Sequence, residues 1–385
     1  MDVLFFVKGV PHSFYKEQFS FSPKGVTYVP STKLLNVEER TAIEFSKNYL
    51  EPFKSIARNG LKAIGVPSIA KVDTECELIH SCETLLISNK PWVVDFEDAS
   101  SLCWFDPRML KGRTKRIIET LIKSEKCRKL LPWTNAAKQS IEQHLDVTGI
   151  KNKIEVVYPA VTPKILKKVK KRKRGIDFLF VGKYFYSKGG METILGFEEL
   201  SKRYDANLHM VTQAPKEIVE KYSKNKQIHF YNRIKEMELE RLYKDCDVFV
   251  LPFHLDSLGY VILEAMSWGL PCIIPDNYSG SELVKDGKNG LLVKDRIENY
   301  RFNEKFMTVV PPINKDEDTL FLDRLKHPSR EYLQQIYKSM EKFVSDGRFK
   351  NNAGKESYYE VERGKFSGDK RRKILKRIYE ESLGR

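Results

Sequence analysis

At 385 residues the chain exceeds what one hydrophobic core usually serves, so its length predicts two domains. With 41% apolar and 31% charged residues, wholesale disorder is excluded, and no run approaches the roughly 18 apolar residues of a membrane-spanning helix. A net charge of +15 draws the surface toward polyanions, whether nucleic acid, anionic lipid or phosphorylated small molecules, without choosing among them.

The first apolar stretch, at residues 3–7, is followed by Lys8 and Pro11 where a signal peptide would stay apolar, so a cytoplasmic location is expected. Further strands are predicted at 26–29, 77–80, 92–96 and 154–158, with helical patterns at 37–57, 110–130 and 136–145 between them. Strands alternating with amphipathic helices build βαβ units around a parallel sheet. The six cysteines show neither CxxC spacing nor closely placed histidines, so no zinc site, redox pair or other metal centre is expected.

A basic run at 164–175 follows Pro159 and Pro163 and precedes a new apolar strand, IDFLFVG, which predicts a linker there. Residues 1–163 then form the first domain, 176–350 the second, and 351–385 a tail with a closing helix. In the second domain strands are predicted from 176 and at 207–211, 228–231, 248–251, 272–275 and 291–293. Helices are predicted at 191–203, 236–245, 260–268, 330–345 and 367–382. The fold class is thus α/β, two facing, doubly wound Rossmann-like domains, in which ligands are expected beyond the carboxyl ends of the strands.

Three segments of the second domain carry the chemistry. FLFVGKYFYSKGGMETILGF reads as a strand, a loop with Gly182, Gly189 and Gly190, and a helix whose free N–H groups can meet an anion. Lys183 and Lys188 in that loop could neutralise a diphosphate, the alternative being an ordinary turn with two exposed lysines. VFVLPFHLDSLGYVILEAMSWGLPCII places Asp256 before a helix and Glu264 within it, with Ser257, Leu258, Gly259 and Tyr260 at the helix entrance. At about 1.5 Å per residue their spacing corresponds to roughly 12 Å, wider than the roughly 5 to 5.5 Å between the carboxylates of a retaining hydrolase, and it favours gripping an extended ligand over nucleophilic attack. Glu264 lies among apolar neighbours, so either a protein donor or a ligand hydroxyl must partner it. In YSGSELVKDGKNGLLV, Ser279 or Ser281 is the expected cap of a short helix that carries Glu282.

At these segments the chain resembles the retaining, nucleotide-sugar-dependent glycosyltransferases of family 4, which have the two-domain fold called GT-B. The family's G-R-x4-K-G pattern is represented by Gly182, Lys183, Lys188 and Gly189, and its paired Glu residues by Asp256 and Glu264. Lys183 replaces an Arg and loses its forked geometry; Asp256 is one methylene shorter than Glu. The resemblance implies that Lys183 and Lys188 bind the donor diphosphate, Glu264 the ribose and Asp256 the sugar. It implies a closing helix that crosses back to the N-terminal domain. The family's glycine-rich turn after the first strand is represented by Gly9 alone. His80, Asp95, Glu97 and Asp98 fall at acceptor-side positions, a strand-end histidine being the commoner structural case.

The expected activity is therefore transfer of a sugar, hexose-like, from a nucleoside diphosphate donor to a glycan, lipid-linked or small-molecule acceptor, with no cofactor and no metal. The alternatives are a sugar-nucleotide epimerase or hydrolase on the same sheets, or a basic nucleic-acid-binding protein, although no helix-turn-helix, zinc finger or RNA-binding motif accompanies the charge. A basic amphipathic stretch at 108–129 is suited to peripheral association with the anionic inner face of a membrane, provided its apolar side is not all spent on the core.

Overall fold

The structure is a computed structural model and describes residues 1–8, 13–31, 59–164, 175–254, 256–294, 302–303, 308–309 and 323–385. Gly9, the helix expected at 37–57 and nearly all of the basic run at 164–175 lie outside the described residues. The chain divides into two compact units. One is built mainly of Met1–Ala160 and Lys365–Arg385, the other mainly of Val161–Phe302 and Pro312–Gly364.

In the first unit, strands β1 (Asp2–Val7), β2 (Thr27–Pro30), β4 (Leu78–Cys82), β6 (Trp92–Phe96) and β7 (Cys127–Pro132) form a parallel sheet in the order β2-β1-β4-β6-β7. Strands β3 (Ile69–Lys71) and β5 (Leu85–Ile87) pair separately, also in parallel. The central strands β4 and β6 are buried at every position, as expected when helices cover both faces. Ile79, Trp92, Phe96, Ile118, Ile122 and Leu130 belong to one core cluster.

Two expectations are corrected here. The helix expected over 110–130 stops at Lys123, where Ser124 closes it by donating its hydroxyl to Leu121 O, and the rest of that run is strand β7. The strand expected at 154–158 is a single bridge between Ile154 and Leu130, followed by irregular backbone. Leu130 O and Pro132 O still accept from the N–H groups of Glu155 and Val157, so the segment tracks the sheet edge without joining it.

The second unit holds a six-stranded parallel sheet in the order β10-β9-β8-β11-β12-β13. Its strands are β8 (Ile176–Tyr184), β9 (Ala206–Gln213), β10 (Ile228–Tyr231), β11 (Val248–Val250), β12 (Cys272–Pro275) and β13 (Gly290–Val293). The first seven residues of β8, IDFLFVG, are buried in succession, which places it as a central strand. The strand order reverses between β8 and β11, so the loops that leave their carboxyl ends lie side by side at a topological switch point.

Two helices of this unit, Lys216–Tyr222 and Gly347–Glu362, carry no strong periodicity and were not expected. The closing helix, Gly368–Ser382, belongs to the first unit, as the implied crossover requires. No described helix is long and apolar enough to cross a membrane.

Candidate functional site

The loop after β8 and the loop after β11 are fastened together. His254 N donates to Ser187 O at 2.9 Å, and the buried His254 imidazole meets the buried Glu192 carboxylate at 2.7 Å. Gly189, at φ +81°, forms the entrance of the helix Gly190–Ser201. A Cβ there would come within 2.2 Å of Pro252 O, so only glycine lets the two loops close. Gly189 thus serves the contact of loop against loop.

This closure brings Lys188 Nζ to 2.5 Å from Asp256 Oδ2, each side chain 18% exposed. Asp256 Oδ1 also accepts from Gly259 N at 2.9 Å, which holds the carboxylate at the entrance of the helix Tyr260–Ser267. Ser257 and Leu258 are buried in that turn and Tyr260 is half-buried. Ser279 is the N-cap residue of the short helix Gly280–Leu283, as expected, but its side chain makes no capping bond. Its hydroxyl donates to Ser257 O at 2.6 Å and ties a third loop to the same place. Lys183 is exposed, its Nζ 5.4 Å from the centre of the Tyr184 ring.

Glu264 lies in the same helix as Tyr260 and is half-buried. Between the two partners the sequence allowed, the structure supplies a protein donor: Tyr243 O–H donates to Glu264 Oε2 at 3.1 Å. Burial, then the Glu264 charge, pushes the Tyr243 phenol well above its ordinary range, so it remains a donor. Tyr243 was not singled out from the sequence, because nothing local links it to a residue 21 positions on.

His80 does not join these groups. It sits on β4 in the first unit with no exposed surface, its Nδ1 at 2.5 Å from Tyr379 Oη and its Nε2 at 3.2 Å from Asp95 Oδ2. Tyr379 Oη also meets Tyr28 Oη at 2.7 Å. From the same closing helix, Arg371 Nη2 lies 3.7 Å from Asp95 Oδ2, and Arg371 Nη1 donates to the carbonyls of Val157 and Tyr158. His80 and Asp95 therefore anchor the closing helix, with no exposed edge from which to meet an acceptor. His80, Cys82 and Asp95 could in geometry surround a cation, but the Arg371 guanidinium already supplies positive charge there. Asp98 is likewise engaged, accepting from the backbone of Ser100 and Ser101 as a cap, and its burial raises its pKa.

The group that stands at the first sheet's switch point, between β1 and β4, is Glu83. It is a non-glycine residue at φ +52° just past β4, partly exposed. Burial, then the nearby Glu97 charge, raises its carboxyl well above the usual range, while a hydrogen bond with Tyr15 opposes the shift. The sequence offers no signal for it, since its backbone conformation and its carboxylate neighbour are both tertiary.

Residues 161–311 match the family described as Glycosyl transferases group 1. An uncharacterised 41.2 kDa protein of the Klebsiella pneumoniae cps region is 27% identical over 198 residues, 49% of this chain and 52% of that protein. An uncharacterised glycosyltransferase of Methanocaldococcus jannaschii is 28% identical over 120 residues, 30% of this chain and 31% of that one. The chain thus spans about half or less of the length of these curated relatives. Among solved structures, Anabaena HepE in complex with UDP and glucose superposes with a TM-score of 0.62 at 12% identity, covering 99% of this chain and 100% of that one. The matched segment contains both fastened loops of the second unit, and the fold likeness runs through nearly the whole chain. The chain therefore carries a Glycosyl transferases group 1 domain within the fold of the GT-B glycosyltransferases.

Proposed function

We propose that the chain is a family 4 glycosyltransferase that moves a hexose from a nucleoside diphosphate sugar to a hydroxyl of a glycan, lipid-linked or small-molecule acceptor, with retention of anomeric configuration. The observation that carries this reading is the Lys188–Asp256 pair at the switch point of the second sheet, beside a helix entrance and inside the family segment. As the bond from the anomeric carbon to the diphosphate breaks, the electron pair leaves with the diphosphate, where Lys188 and Lys183 offset the growing charge. Asp256, held by Gly259 N and Lys188, accepts from sugar hydroxyls, and Glu264 accepts from the ribose. The acceptor oxygen attacks from the face the diphosphate leaves, and its proton passes to a departing phosphate oxygen. Of the residues near the first switch point, Glu83 is better suited than the enclosed His80 to meet an acceptor hydroxyl.

Thermal melting with UDP, GDP and ADP sugars, followed by product analysis with and without acceptor, tests the reading. The correct donor stabilises by mass action and should raise Tm. No shift with any of them, and no transfer, would count against it.

Glu264→Gln should weaken nucleotide binding by about 10- to 100-fold, the loss of a charged hydrogen bond worth roughly 1.5 to 3 kcal/mol. Its Tm should hardly move, since glutamine still accepts from Tyr243. Titration calorimetry that finds unchanged affinity would assign Glu264 to Tyr243 alone. Because the two lysines supply the positive charge, transfer should also persist after exhaustive chelation. Activity lost with chelator and restored by magnesium or manganese would overturn metal independence. The same proposal places the protein at an anionic membrane face by peripheral contact.

A further inference from the structure

Two polar side chains of the second unit are buried where apolar ones would pack at lower cost. Glu192 and His254 have 0% and 2% of their surface exposed, and Glu192 Oε1 meets His254 Nε2 at 2.7 Å. Replacing such a buried pair by apolar side chains of similar volume is often neutral or stabilising, so stability alone does not account for it. Glu192 Oε2 adds to the cost, because it is buried with no hydrogen-bond partner among the described residues. Position offsets part of this: Glu192 stands in the first turn of the helix Gly190–Ser201, the end of the dipole at which a carboxylate is favoured.

The pair joins the two segments that carry the charges of the candidate site. Glu192 follows Lys188 by one helical turn, and His254 precedes Asp256 by two residues. Within the first loop, Lys188 N donates to Tyr184 O and Gly190 N to Phe185 O. On the second, Tyr332 of the helix Arg330–Ser345 donates its hydroxyl to Pro252 O at 3.4 Å, and its ring stands 5.9 Å from the His254 imidazole. The Lys188–Asp256 contact is itself partly open to water, and pairs of that kind are too weak to hold two loops in register. The enclosed bond between Glu192 and His254 is directional, fixing angle as well as distance, which an apolar contact does not.

We propose that Glu192 and His254 are positioning residues for sugar transfer: their bond sets the loop after β11 against the loop after β8, so that Lys188 and Asp256 stand at a fixed separation before a donor arrives. The proposal rests on the glycosyltransferase reading given above and adds to it two residues that touch no substrate. A shift of about 1 Å in a reacting constellation can cost on the order of 10²-fold in rate. The loss falls on turnover, since Glu264 belongs to the helix Tyr260–Ser267 and has its own partner in Tyr243.

The test replaces both residues at once. Glu192→Met with His254→Leu keeps most of the volume and removes the bond, so the double variant should melt near or above the unaltered protein. Its turnover should nevertheless fall by about 10²-fold, with affinity for UDP, GDP or ADP, whichever the unaltered protein binds, little changed. His254→Gln, whose amide N–H still reaches Glu192, should keep most of the turnover. A second readout needs no substrate. Brief acetylation with acetic anhydride, followed by peptide mass spectrometry with the exposed Lys216 as reference, should label Lys188 several-fold faster in the double variant, because its pair with Asp256 is loosened. Unchanged turnover or unchanged Lys188 labelling in a folded double variant would overturn the proposal. A double variant that melts far below the unaltered protein would overturn it too, by making the pair a support of the fold. If the unaltered protein transfers no sugar, the glycosyltransferase reading falls, and Lys188 labelling alone decides whether the pair fixes the two loops.

Discussion

Lys188→Ala is expected to lower turnover by about 10²-fold or more while leaving the protein folded. Its ammonium group is the cation the fold holds most firmly at the switch point, 2.5 Å from Asp256 and reached through a loop that Gly189 and His254 fix in place. A preorganised charge aimed at a leaving group is worth far more in the transition state than in the ground state, and removing one donor of this kind typically costs 10² to 10³ in turnover. Stability should change little. The pair is partly exposed, and such pairs contribute only about 0 to 1 kcal/mol. Asp256 also keeps its bond from Gly259 N, so the turn at the helix entrance survives. Steady-state transfer assays beside thermal melts check this. Near-normal turnover would make Lys188 a partner of Asp256 and nothing more, whereas equal losses of turnover and Tm would point to collapse of the two loops.

The second large effect concerns stability and the first unit. Arg371→Leu should cost about 3 to 5 kcal/mol, a large part of the roughly 5 to 15 kcal/mol by which domains are stable. Arg371 and Asp95 are 2% and 1% exposed, and the guanidinium also satisfies the carbonyls of Val157 and Tyr158. Replacing it leaves a buried carboxylate short of positive charge and two carbonyls short of a donor, while His80 supplies only a single further contact. Adding Asp95→Asn to Arg371→Leu should recover part of the loss, because the remaining group is then neutral. Urea unfolding followed by tryptophan fluorescence suits the measurement, since Trp92, Trp104 and Trp133 all lie in this unit. A loss under about 1 kcal/mol, the scale of an exposed pair, would refute the anchoring role assigned to Arg371.

Much of the fold was legible before the structure. Strands β6, β10 and β12 and the helices Glu236–Asp245 and Arg330–Ser345 fall at the expected bounds, because apolar runs of strand length and helical periodicity are local signals. The helix Gly347–Glu362 was not legible. GRFKNNAGKESYYEVE has two glycines and two asparagines, and its position is fixed by packing: a Cβ on Gly354 would come within 2.5 Å of Gly269 O. Strand β7 was hidden for the opposite reason, since CRKLLP continues the basic and apolar character of the helix before it.

By itself the sequence determined most strands of the two sheets, the loops after β8 and β11 and the residue types those loops carry, since glycine placement, alternation and charge act over a few neighbours. Only the tertiary structure decided which of those residues meet. Lys188 and Asp256 are 68 positions apart and touch because β8 and β11 are adjacent where the strand order reverses. The same long-range geometry enclosed His80 beneath Tyr379, 299 positions away, and gave Glu264 its Tyr243 partner. Side-chain partners across such distances follow from strand order and helix rotation, and neither is written in any local period of the chain.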